Sequence, residues 1–133
     1  ACARPGAPSG VDRRPLARRR RRDQARATAV TLAAQPELPW TLDRLAQRVH
    51  ASPFHLARSF QREMGASIHQ YLLRARLARA AAEVLDSGEE LTAIALRLGF
   101  ANPSHFTAAF RAAYGLTPTA LRRQAGASRM PGA

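Results

Sequence analysis

From Asp23 onward, apolar side chains recur at three- and four-residue spacing, broken at short intervals by Pro, Gly, Ser, Thr and Asn. This period of about 3.6 predicts helices. Ala25, Ala29, Leu32 and Ala33 mark the first, with Asp23 as its expected N-cap and Pro36 and Pro39 beyond its end. Leu42, Leu45, Ala46 and Val49 mark the second, capped by Thr41. After a break at His50 and Ala51, Ser52-Pro53 reads as an N-cap followed by Pro at the first helical position. Leu56, Phe60 and Met64 continue that face to Gly65. A longer helix follows from Ser67 to Asp86, then a pair over about Glu89–Leu98 and Asn102–Tyr114, and a short last helix opening at Thr117-Pro118. No segment alternates with period two. The expected fold class is all-α.

The pattern repeats. Leu42, Leu45, Ala46 and Val49 fall on Leu91, Ile94, Ala95 and Leu98 at an offset of 49 residues. Past the break the offset is 50, and Ser52, Pro53, His55, Phe60, Gly65 and Ser67 fall on Asn102, Pro103, His105, Phe110, Gly115 and Thr117. Each copy is a helix, a tight turn and a second helix. Ala46 and Ala95 are small enough for that second helix to pack closely. It buries one narrow face, Leu56 and Phe60 or Phe106 and Phe110, and turns its polar residues outward. The two expected helix-turn-helix units span about 43–64 and 91–114, with a linking helix over about 67–86. At ~1.5 Å per residue that linker is roughly 30 Å long, close to one turn of B-DNA.

Charge sharpens this picture. Formal net charge is +12, and every one of the 21 basic residues is Arg. A surplus this large implies a polyanionic partner. It is uneven: residues 1–22 hold eight Arg and one acid, and the remainder thirteen Arg and eight acids. The first 22 residues are expected to be a disordered basic linker or an arm touching phosphate. Residues 23–125 are the expected folded domain and 126–133 a flexible tail. No apolar run reaches the roughly 20 residues of a membrane span. Cys2 is the only cysteine, which excludes an internal disulfide and a multi-thiolate zinc site. No catalytic Ser, His and acid set and no metal-ligand spacing stands out, so neither cofactor nor metal is expected. The expected location is cytoplasmic. Ala1 in place of Met suggests a piece of a longer protein.

Outward-facing Arg, His, Asn and Ser near a helix N-terminus suit the hydrogen-bonding edges of a major groove. Free N–H groups and the helix dipole there favour nearby phosphate. The candidate contacts to double-stranded DNA are Pro53, Phe54, His55, Ala57, Arg58 and Arg62 in the first unit. In the second they are Asn102, Ser104, His105, Thr107, Ala108 and Arg111. The plainer reading of each is a solvated helix face. Arg74, Arg76 and Arg79 on the linking helix read as a solvated face or as phosphate contacts, and Trp40 and Tyr71 as core.

The runs SPFHLARSFQREMGASIHQYLLRARLARA and IALRLGFANPSHFTAAFRAAYGLTP resemble the DNA-binding domain of the AraC/XylS family of bacterial transcription regulators. The second carries the family's signature at Gly99-Phe100, Ser104, Phe106, Phe110, Gly115 and Pro118. The resemblance covers about Asp23 to Arg123. It implies seven helices, two helix-turn-helix subdomains reading successive major-groove segments, and contact with RNA polymerase to activate or repress transcription. It also implies a separate effector-binding or dimerising domain upstream. By position, Phe54, Ala57 and Arg58 match base contacts of the first recognition helix. Ser104, His105 and Ala108 match those of the second, and Thr107 a phosphate contact. Ala108 departs from the family, which often has Arg there, and the internal repeat pairs it with Arg58. Two rivals stand beside this reading. One is a non-specific basic architectural protein. The other is a fragment of an Ada-type alkylation-repair regulator, whose zinc-thiolate chemistry Cys2 alone cannot supply.

Overall fold

The computed structural model describes residues 13–129. Cys2, the first twelve residues of the expected arm and the last four of the expected tail lie outside them. Seven helices and no strand occur among the described residues: α1 (Arg14–Ala34), α2 (Leu42–Arg48), α3 (Pro53–Met64), α4 (Ile68–Asp86), α5 (Leu91–Arg97), α6 (Pro103–Tyr114) and α7 (Pro118–Arg129). The all-α expectation holds.

The caps explain where most of these helices start. Thr41, Ser52, Ser67, Asn102 and Thr117 each accept a backbone N–H three residues ahead, at 2.8–3.1 Å. Each bond satisfies one of the donors that a helix start leaves unpaired. Ser67 and Gln70 complete a reciprocal capping box.

Two expectations fail at the ends. Asp23 is not a cap. It lies inside α1, which begins nine residues earlier at Arg14. Arg and Ala are good helix formers, and a Pro in the first turn sets φ for helix entry. Tertiary contact does the rest. Ala25, Thr28, Ala29 and Leu32 are buried, and Arg22 and Arg26 pair with Glu63 of α3. The folded chain also continues past residue 125, because α7 runs on to Arg129. Within α7, Leu121 packs on the second core. Arg122 donates to the carbonyls of Val84 and Ser87, both at 3.1 Å. Those carbonyls end α4 and would otherwise lack partners.

Two cores share the linking helix. Ala25, Ala29, Leu32, Leu45, Ala46, Leu56 and Phe60 form the first with Leu72 of α4. Leu77, Ala80 and Val84 of α4 join Ile94, Ala95, Leu98, Phe100, Phe106 and Phe110 in the second. Ala46 and Ala95 are 1% and 0% exposed, as close packing of the second helix of each unit demands.

Two arginines of α4 bind backbone or side chains of the first subdomain, and one of them also reaches the second. Arg76 donates to the carbonyls of Pro36 (2.8 Å) and Leu38 (3.0 Å) in the first subdomain and reaches that of Gly99 (3.5 Å) in the second. Burial lowers the pKa of its guanidinium below the ordinary value. Arg79 donates to the Ala34 carbonyl at 3.3 Å and lies 3.8 Å from Glu37. Arg74 alone of the three stays exposed. Elsewhere Arg97 of α5 binds Glu83 of α4 and, at 2.7 Å, Glu89. The hydrogen bond to Glu83 leads in holding that guanidinium above its ordinary pKa.

Candidate nucleic-acid interface

The two turns are built alike. The Ala51 N–H bonds the Ala46 carbonyl and the Phe100 N–H that of Ala95, both at 3.0 Å. The residue between helix end and bond is left-handed in each: His50 with φ 57° and Gly99 with φ 95°. A left-handed backbone costs an L-residue roughly 1–2 kcal/mol, which Gly avoids. Gly99 also leaves room for the Arg76 guanidinium, which a side chain there would displace. A Cβ there would stand 2.8 Å from the Arg76 guanidinium carbon.

These turns aim α3 and α6. In α3, Leu56 (1%) and Phe60 (0%) face the core. Phe54, His55, Arg58 and Arg62 are exposed, as is Pro53, while Ala57 is half-buried. Phe54 is 64% exposed, so it is not held in place by the core. The Arg58 guanidinium lies over its ring, 5.4 Å from the centroid, and His55 meets the same ring edge-on at 5.7 Å. Cation–π contact with Phe54 thus holds Arg58 one turn past the helix start. The Ser52 hydroxyl lies 2.7 Å from His55 Nδ1, so that ring is engaged with the cap.

In α6, Phe106 (1%) and Phe110 (0%) face the core. Asn102, Ser104, His105, Thr107, Ala108 and Arg111 are exposed. His105 lies against Phe100 at 5.7 Å, so the two repeated histidines have different neighbours. Ser104, Thr107, Ala108 and Arg111 line an open shallow cleft. Where the first helix raises the Arg58–Phe54 pair, the second presents a depression with Ala108 in it. Arg58 and Phe54 thus stand together on the exposed side of α3, and Ser104, Thr107, Ala108 and Arg111 share one cleft on α6, while His55 is engaged with Ser52 and His105 lies against Phe100.

One basic surface lies mostly outside the candidate residues. Arg14, Ala17, Arg18, Arg21 and Arg22 of α1 line a groove against Ser59, Arg62 and Glu63 of α3. The four-residue spacing of Arg14, Arg18 and Arg22 was the available signal. Trp40 packs against the first core, as expected, and is half-buried: Arg44 and Arg48 lie 5.8 and 5.5 Å from its ring centre, and its indole N–H donates to the Gln35 carbonyl at 2.8 Å. Tyr71 packs against the same core, half-buried and edge-on to Phe60 at 5.4 Å, also as expected. Among the described residues no helix is long and apolar enough to cross a membrane, and no His, Cys, Asp and Glu group could hold a metal ion.

A family profile described as a helix-turn-helix domain matches residues 45–124, from α2 into α7. The fold is similar to that of an AraC-type DNA-binding-domain regulator from Chromobacterium violaceum, with TM-score 0.73 and 27% identity over 83% of this chain and 96% of that one. The chain belongs to the AraC/XylS family. Its part in that family is the DNA-binding domain of a transcription regulator. The AraC-family relatives include the HTH-type transcriptional regulator ArgR of Pseudomonas aeruginosa, 34% identical over 93 residues, which are 70% of this chain and 28% of that protein. Another is AdaA of Bacillus subtilis, described as a bifunctional transcriptional activator and DNA repair enzyme. It is 30% identical over 83 residues, 62% of this chain and 39% of that protein. The chain spans about a third of the length of the first curated relatives it matches.

Proposed function

We propose that this AraC-family domain reads double-stranded DNA by placing α3 and α6 in successive major-groove segments on one face of the duplex. The observation that carries this is the duplicated, outward-facing recognition helix on a shared linking helix. At ~1.5 Å per residue α4 is roughly 28 Å long, against about 34 Å for a turn of DNA. In α3, Arg58 pairs with a guanine, Phe54 packs on a thymine methyl or sugar, and Ala57 lies close to the base edges. His55, Pro53 and Arg62 contact the rims. In α6, Ser104, His105 and Ala108 face bases, while Asn102, Thr107 and Arg111 meet backbone. The second head reads by shape and small contacts more than by long side chains, because Ala108 offers only a methyl. The domain acts as a binding module without chemistry of its own, in the cytoplasm, within a longer regulator that carries an effector or dimerisation domain and contacts RNA polymerase. The greater length of its relatives supports that last reading.

Selection from random duplex DNA tests this. We expect two enriched elements with centres about 10–10.5 bp apart, retained against excess random competitor. A pool that stays random while still binding the protein favours a non-specific architectural role instead.

A further inference from the structure

We propose that the arginine-lined groove between α1 and α3 holds the phosphate backbone of the duplex beside the first recognition helix. This rests on the DNA-binding reading above and adds α1, which lies outside the segment that the family profile matches, to the binding surface. Five arginines, Arg14, Arg18, Arg21, Arg22 and Arg62, face one carboxylate, Glu63. Glu63 is spent on position: it pairs with Arg26 at 2.9 Å and lies 3.9 Å from Arg22, tying α1 down on α3. Arg18, Arg21 and Arg62 remain directed at the groove.

The position and charge of the groove suit a DNA backbone. Arg62 stands one turn after Arg58 on α3, so the groove opens beside the face that carries the candidate base contacts. The major groove is about 12 Å wide, and a helix with its side chains is about 10–12 Å across. A helix seated there has its flanks against the phosphate rims. From Arg14 to Arg22, α1 rises roughly 12 Å. One DNA strand places three to four phosphates along that distance, at one per about 3.4 Å of axis. Moreover, Arg14–Arg18 and Arg18–Arg22 are like-charge pairs at four-residue spacing, which disfavour a helix in isolation. A polyanion in the groove relieves that repulsion.

The test compares two double variants of the full chain with equal loss of charge. Arg18→Gln with Arg21→Gln removes two of the five groove arginines, and Arg19→Gln with Arg20→Gln removes exposed arginines that do not line it. Binding is measured against salt on a selected duplex and on a scrambled one of equal length. The groove variant should lower the slope of log affinity against log salt by about two units, at ~0.9 per phosphate. That is roughly a tenfold smaller loss of affinity between 50 and 200 mM salt than the unaltered chain shows. The control pair should leave the slope nearly unchanged, as should Arg18→Lys with Arg21→Lys. Base preference should be the same for all, and trimming the duplex on the α1 side should erase the difference. Equal losses in both Gln pairs, no loss in the groove pair, or an altered base preference would each overturn the proposal. Failure of the DNA-reading proposal shows separately, as an unaltered chain that binds selected and scrambled duplexes alike. The slope on the scrambled duplex still tests the groove in that case.

Discussion

Truncating Phe60 or Phe110 to alanine is expected to remove a large share of the protein's stability and to impair DNA binding with it. Both rings are 0% exposed and hold equivalent places in the two cores. Phe60 meets Tyr71 edge-on at 5.4 Å. Phe110 is the centre of a longer aromatic run, 5.7 Å from Phe106 and 4.8 Å from Tyr114. Removing a buried Phe costs ~3–5 kcal/mol through lost transfer energy and the cavity left behind. A domain of this size has only about 5–15 kcal/mol in total. Because α4 supplies Leu72 to one core and Leu77, Ala80 and Val84 to the other, damage on either side reaches both heads. Denaturant unfolding followed by helix content, beside a binding titration, measures the two losses together. A Phe110→Ala protein with an unchanged midpoint and no binding would mean that α6 presents this ring to DNA and not to the core.

The second large effect separates the heads. Arg58→Ala is expected to lower affinity for the selected site by about 10- to 100-fold. A bidentate Arg–guanine pair contributes about 1–3 kcal/mol of discrimination. The loss should fall on one or two base pairs in one element. The Phe54 ring beneath the guanidinium limits its freedom before binding, so less order is imposed on contact. Phe54→Ala should therefore weaken the same base pairs to a smaller degree. Ala108→Arg, at the matching place in α6, should raise general affinity through phosphate or create a new guanine preference one turn away. Titration against single-base changes decides. A uniform loss for Arg58→Ala, with no position relaxed, makes Arg58 a phosphate contact. No loss at all removes α3 from the groove.

Local signals made much of this architecture legible. Thr41, Ser52, Ser67, Asn102 and Thr117 are short polar residues ahead of apolar runs, and each does cap its helix. The repeat, with its shift in offset at the second turn, located both units because equal packing needs equal spacing. Which residues face outward on α3 and α6 followed from helical periodicity alone. The rest depended on distant partners. Arg18 to Arg22 look like a solvated charge run by composition, yet they continue a helix tied down through Arg22 and Arg26 by Glu63, some forty residues away. Arg76 looked like one of a row on the linking helix. Its role is set by the carbonyls of Pro36 and Leu38, whose approach to it no local pattern encodes. His50 was legible as a break but not as a left-handed residue, since few non-Gly residues take that conformation, even though His does so more often than most. The Arg58–Phe54 stack was visible in spacing, being four residues apart, but not in rotamer.

The central claim is that two heads read one face of the duplex about a turn apart. Hydroxyl-radical footprinting of the unaltered chain on its selected site tests it most directly. The account predicts protection in two windows on the same face, with centres about 10–10.5 bp apart, and loss of sharp protection in the first window alone for Arg58→Ala. A single window, or continuous protection around the whole duplex, would contradict it.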